Sequence, residues 1–429
     1  MMGFPKQLDK YFFVVTFFLF SYCSNTAKIN PPVDKPYGLL DSIIKKSSNA
    51  FLQRIATQDS TYHIQLIYTQ INRDSLNNPT FSTFFYSVDT LEYYYPASLV
   101  KLPTALLALE KLNELDLPEL TKSSYMFTDS AHKCQRSYFT DESSESKKPS
   151  IEQYIKKMLL VSDNNAYSRV FEFLGADYIN TKLHDKGYKS SYIIHRFDAQ
   201  CGTKENRYTN PIRFFNDSMK LVYSKPPQID THNFYHPLGV IRIGNAYVDA
   251  NNKLVTQPKD FTFSNYISLQ DVHRMVVATM FPTNVDKAER FAISSGEYDF
   301  IRKYLAMMPY QSQNPAYNRK EYYDAYKKYL FWGADKNVNM DTTVKIFNIV
   351  GQSYGFLSDC AYIVDFKNNV EFFLSAAIYV NKDGVLNDGK YEYKEIGFPF
   401  LKQIGQAVYN YEVNRTRKYA PNLQQFRYK

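Results

Sequence analysis

Tryptophan occurs once and cysteine four times in 429 residues, against 38 tyrosines and 32 phenylalanines. None of the cysteines has a nearby histidine pattern, so thiol catalysis is not indicated. The seven histidines are scattered. Only His232 and His236 stand at a helical spacing, no glutamate accompanies them, and Pro226, Pro227 and Pro237 argue against a regular helix there. The usual zinc pattern is therefore missing, and no metal or cofactor is expected. Glycine-rich phosphate loops and internal repeats are missing as well. The formal net charge of +8 comes from dispersed lysines rather than a block. That leaves no nucleic-acid footprint and is compatible with a weak attraction to an anionic cell envelope. With 44% hydrophobic residues the chain can bury one large core or two modest ones, and the run Tyr93-Tyr94-Tyr95 is expected to pack.

The apolar run from Tyr11 to Tyr22, preceded by Lys6 and Lys10, is too short to span a bilayer and reads as a secretory signal over residues 1–22. Cys23-Ser24 follows at once and resembles the lipobox of bacterial lipoproteins, which makes Cys23 the expected lipidation site. Tyr22 stands where a small residue is usual, so simple cleavage is the alternative. Residues 23–38, with Pro31, Pro32 and Pro36, then form a tether. The expected location is a bacterial cell envelope, periplasmic and lipid-anchored to a membrane. Cys134, Cys201 and Cys360 remain in an oxidising compartment and cannot all pair. Cys134 with Cys201 is the preferred bridge, because Cys360 falls in a strand expected inside a sheet.

The chemistry centres on Ser98-Leu99-Val100-Lys101. A spacing of three puts both side chains on one face of a first helical turn, where a neutral lysine amine can take the hydroxyl proton. The same spacing occurs at Ser42/Lys45, Ser130/Lys133 and Ser144/Lys147, but Ser42 lies on an amphipathic helix pattern and the other two in polar runs. Only Ser98 opens an apolar segment, Leu102 to Leu109, whose leucines and alanines predict a helix buried nearly all round. A second constellation, Ser162-Asp163-Asn164, joins the helical patterns 151–161 and 166–174, the latter stopped by Gly175. A tight polar link of this kind presents side chains into a cleft, although a serine or aspartate there also serves as a helix cap.

Ser-x-x-Lys followed by Ser-Asp-Asn resembles the serine β-lactamase and penicillin-binding protein superfamily, in order and separation its class A branch. The resemblance runs from about Leu39 to Val413. Arg196-Phe197-Asp198 and Tyr208-Thr209-Asn210-Pro211 look like the two ends of the family's omega loop, and Tyr266 to Val272 like a later helix start. It implies an α+β fold: an antiparallel sheet flanked by helices, with an all-helical subdomain and the serine at their boundary. It further implies Ser98 as nucleophile, Lys101 as general base, Ser162 as proton relay and Asn164 as a holder of the substrate amide.

Two departures qualify that picture. No Lys-Thr-Gly, Lys-Ser-Gly or His-Thr-Gly occurs; the best counterpart is Ile349-Val350-Gly351, so Ile349 stands where the family's substrate-attracting lysine would be. Lys345 shares that strand face but lies roughly 13 Å away at the usual rise. A cation from elsewhere, Lys345 or an arginine of the 224–263 insertion, would support carboxylate-bearing substrates. Gly351 permits close backbone approach, and the N–H of Gln352 can join that of Ser98 in an oxyanion hole. The omega loop also lacks a recognisable Glu-x-x-x-Asn. Its carboxylates, Asp198 and Glu205, read as ion pairs with Arg196 or Arg207, which predicts slow deacylation.

The domain plan is a signal peptide at 1–22, a tether at 23–38, one catalytic domain at 39–415 with a probable insertion at 224–263, and a tail at 416–429. A helix over 39–55, strands over 62–71 and 81–89, a helical region over 98–225, helices over 268–308, strands over 343–381 and a closing helix over 394–413 complete the layout. The expected function is an envelope serine hydrolase, a monomer, that forms an acyl-enzyme on Ser98 with a small-molecule β-lactam or a peptidoglycan peptide. The alternative is a catalytically weak or inactive lipoprotein of the same fold that binds wall fragments or a partner.

Overall fold

The computed structural model describes residues 38–197, 202 and 204–428. The signal segment, Cys23, nearly all of the tether, Asp198 and Cys201 lie outside the described residues. Helices α1 (Leu39–Lys46) and α2 (Ala50–Ala56) open the domain. The single helix expected over 39–55 is broken because Asn49 accepts the Leu52 N–H at 2.9 Å and caps a new start. Strands β1 (Gln65–Arg73) and β2 (Pro79–Tyr86) follow. Next come α3 (Lys101–Leu115), α4 (Ile151–Val161), α5 (Asn164–Leu174) and α6 (Ala176–Asp185). Helices α7 (Leu269–Met280) and α8 (Ser295–Ala306) precede strands β3 (Val344–Ser353), β4 (Phe356–Asp365) and β5 (Val370–Tyr379), and α9 (Phe398–Asn414) closes the domain.

The central sheet has the order β3-β4-β5-β1-β2 with every neighbour antiparallel. Its side chains alternate between two cores, as the two-residue period of a strand requires. Leu66, Tyr68, Ile346, Val350, Ile363, Phe372 and Leu374 face α1, α2 and α9. Ile67, Phe347, Ile349, Tyr362 and Phe373 face the cluster that holds α3 to α8. Both faces are covered, which is why these strands read as continuous apolar runs rather than alternating ones.

The helical subdomain also carries a small sheet, formed by 125–128, 212–215 and 221–225. The helical reading of 98–225 misses it, although Ile212 and Phe214 are buried and Arg213 between them is not, the signature of a strand. Within 224–263 the strands have two or three residues each, such as Arg242–Ile243 and Ala246–Val248. Phe261 from this stretch packs 5.6 Å from the Tyr95 ring and 5.4 Å from Tyr354, and Tyr93, Tyr94 and Tyr95 are all buried. The tail, described over 416–428, folds back, with Leu423 and Phe426 buried in the core. Cys134 is disulfide-bonded to a partner outside the described residues, and Cys360 is free and buried in β4. No helix among the described residues is long and apolar enough to cross a membrane.

Candidate active site

Ser98 sits in a short 3-10 turn, Ala97–Val100, that runs directly into α3. Ala97 holds a left-handed φ of 45°, a conformation that a side chain adopts only when its surroundings enforce it. The enforcing surroundings include β3. A Cβ on Gly351 would lie 2.4 Å from the Pro96 carbonyl oxygen and 2.7 Å from the Ser358 hydroxyl, so only glycine lets the strand press against the serine turn. Because β3 is the sheet's edge strand, the Gln352 backbone stands next to that turn with one side free of sheet pairing. The Gln352 side chain is exposed and accepts from the Tyr329 hydroxyl at 3.0 Å.

Lys101 is fully buried at the first position of α3, and four oxygens surround its amine. Nζ contacts Ser98 Oγ at 2.9 Å, the Ser162 carbonyl at 2.5 Å, Ser162 Oγ at 2.9 Å and Asn164 Oδ1 at 2.7 Å. The Ser-Asp-Asn tripeptide makes this possible by ending one helix and starting the next. Ser162 closes α4 in the left-handed region with a φ of 61°, and Asp163 caps α5 by accepting the Ala166 N–H at 2.8 Å. Aspartate is thus the cap, while serine and asparagine turn inward. The Ser162 carbonyl and Asn164 Oδ1 can only accept, so they engage both N–H bonds of a neutral amine and leave its lone pair for a hydroxyl. Burial pushes the Lys101 amine well below the usual lysine range; the charge of Lys327 adds to this and Asp163 opposes it.

Lys327 is the residue that sequence reasoning missed. It lies in the long irregular connection between α8 and β3, and its Nζ donates to the Leu159 carbonyl at 3.1 Å, in the last turn before Ser162. Its own carbonyl accepts from Asn348 Nδ2 at 2.7 Å, beside Ile349. Asn348 also donates to Asp359 at 2.9 Å, and Asp359 accepts from the Tyr329 and Leu330 N–H groups, which fixes the segment against the sheet. Burial and the neighbouring Lys328 bring Lys327 down to about 7. The available signal was a lysine pair inside the aromatic run Tyr322 to Trp332, a setting that buries its charges. Lys345 points elsewhere, donating to the Tyr428 carbonyl at 2.6 Å.

Arg196 ties together the two ends of the loop expected at 196–211. It donates to the carbonyls of Glu205 at 3.0 Å and Tyr208 at 2.8 Å, and to buried Glu172 of α5 at 2.7 Å. The Glu205 carboxylate stands 3.9 Å from Lys133 and makes no contact with Ser98 or Lys101. An aromatic ring, Phe197, lies 5.4 Å from Lys101 Nζ instead.

The three competing Ser-x-x-Lys spacings resolve into turns and surface pairs. Lys45 pairs with Asp41, Ser130 donates to the Gln135 carbonyl, and Ser144 donates to the Asp141 and Lys148 carbonyls. His232 pairs with Asp177, whereas His236 lies tilted against Tyr93 and edge-on to Tyr266. Among the described residues no group of three metal-ligating side chains comes together.

Residues 50–225 match the family model of the β-lactamase enzyme family. Among solved structures, the chain is similar to a β-lactamase from Sphaerobacter thermophilus, at 10% identity over 87% of this chain and 99% of that one, with a TM-score of 0.45. It is similar to PBP-A at 12% identity over 85% and 97%, with a TM-score of 0.46. A class A β-lactamase from Clostridium kluyveri gives 12% identity over 84% and 98%, with a TM-score of 0.42. No curated protein matches.

Proposed function

We propose that the chain is an envelope serine hydrolase of the serine β-lactamase and penicillin-binding protein type, whose family model its residues 50–225 match, and that it acylates Ser98 with a β-lactam or a peptidoglycan-type peptide amide. The observation that carries the reading is the buried Lys101 amine among the oxygens of Ser98, Ser162 and Asn164. Lys101 takes the Ser98 proton as Oγ attacks the carbonyl. Ser162 relays a proton to the leaving nitrogen, Asn164 holds the substrate amide, and the N–H groups of Ser98 and Gln352 receive the oxyanion. While protonated, below about pH 7, Lys327 supplies the positive charge that Ile349 lacks, attracting a substrate carboxylate and adding to the burial that keeps Lys101 neutral. Glu205 is turned to Lys133 and Phe197 borders Lys101, so the acyl-enzyme is long-lived. The chain works in the periplasm, held through a lipid on Cys23.

The same two features, Ile349 at the motif position and Phe197 beside Lys101, favour a second reading in which the protein binds wall fragments without turnover. Comparing wild type with Ser98→Ala separates the two. An acylating enzyme loses its covalent adduct in the variant, whereas a binding module keeps its ligand affinity unchanged and shows no adduct in either form.

A further inference from the structure

A cleft of about 640 Å³ opens along the first residues of β3, walled by the end of α8, the connection that follows it and Lys156 of α4. It lies at the opposite end of the strand from Gly351, roughly 20 Å along the backbone from the serine turn. Four lysines line it, Lys156, Lys303, Lys328 and Lys345, and no aspartate or glutamate does.

The partners of these lysines leave most of that charge uncompensated. Lys328 donates to the carbonyls of Leu305 at 3.0 Å and Ile346 at 2.9 Å and to Asn348 Oδ1 at 2.6 Å; buried Asp359, on the far side of Asn348, offsets part of its charge without touching it. Lys345 donates to the Tyr428 carbonyl, and Arg427 adds a like charge beside it. Among the described residues only Lys156 of the four has a carboxylate at contact distance, Glu152 at 2.6 Å, and Glu152 is not part of the lining. A solvated lysine face would carry its charges into water. Here Lys328 is 6% exposed and feels the like charge of Lys345, at a depth where repulsion is poorly screened. Gln311 and Asn314 add neutral hydrogen-bonding groups to the same wall.

We propose that this cleft is an anion-binding site, separate from the acylation site, for a polar ligand bearing two or more carboxylate or phosphate groups. Lys303 and Lys345 contact the anion, Lys328 forms the charged floor, and Gln311 and Asn314 take the uncharged part. The site does not depend on chemistry at Ser98.

Calorimetric titration of the full chain with pyrophosphate and, separately, with tricarballylate tests it and tells phosphate from carboxylate. Saturable binding of at least one anion is expected, weakened about tenfold or more in the Lys303→Ala/Lys345→Ala double variant, as loss of charge-assisted contacts requires. Absence of binding by both anions, or equal affinity in the double variant, overturns the proposal. If that variant does not fold, acetylation of lysines in wild type decides: the bound anion protects Lys303 and Lys345, and equal labelling with and without either anion overturns it.

Discussion

Burial is the largest cause of the depressed Lys101 amine, and Lys327 is the neighbouring charge that adds to it. In the proposed mechanism Lys101 is a base only when neutral, so acylation should rise with pH through the Lys101 pKa. Removing the positive charge of Lys327 removes one cause of that depressed value, and the acid limb of the acylation profile should move to higher pH in Lys327→Met. Lys327→Arg should keep the limb near its wild-type position. Lys327→Met should also cost about tenfold or more in acylation by a carboxylate-bearing penicillin while leaving its methyl ester little affected, because a charge-assisted hydrogen bond is lost only with the acid. Equal losses for acid and ester would assign Lys327 a packing role instead.

At the scale of elements, the site depends on the contact between β3 and the serine turn. Gly351→Ala forces the strand and the Pro96 carbonyl apart, an overpacking cost of about 1–3 kcal/mol. Denaturant unfolding should register that loss, and acylation at Ser98 should fall by about a hundredfold or more, since misplacement of a reacting group by an ångström has that effect. An unchanged acylation rate would mean that β3 does not position the nucleophile. Sequence alone showed the Ser98 helix, the Ser-Asp-Asn link and the strand containing Gly351, because each is a local pattern: an apolar run, a polar break between helices, an apolar run with a glycine. It did not show the break at Asn49 or the small sheet over 125–225, where caps and two-residue periods are short. Lys327 was hidden for a different reason. Its approach to Leu159 is a tertiary contact between distant segments, which spacing does not encode.

The whole molecule buries an unusual number of lysines. Lys111 and Lys328 are brought down to about 8, Lys225 and Lys327 to about 7, and Lys101 well below the usual lysine range, with burial the largest cause in each. In the unfolded chain lysine titrates near ~10.4, so between about pH 8 and 10 the unfolded state binds more protons and stability rises with pH. The buried Cys360 thiol is pushed up and acts in the opposite sense from about pH 8.5, and Asp359, raised to about 7 by burial, does so near neutrality, two groups against five. The thermal midpoint should therefore climb from pH 7 to about 9.5, before the unfolded state's tyrosines ionise. A midpoint that falls steadily over that range would show that these lysines remain charged in the folded protein.

Covalent chemistry at Ser98 is the centre of the account, and intact-mass measurement after incubation with a fluorescent penicillin, a chromogenic cephalosporin or a serine-directed acyl phosphonate addresses it most directly. The predicted result is a single adduct on wild type, mapped to the Ser98 peptide, slow to disappear for the penicillin and absent from Ser98→Ala. The contradicting result is wild-type protein left unmodified by all three reagents, with the cephalosporin unhydrolysed.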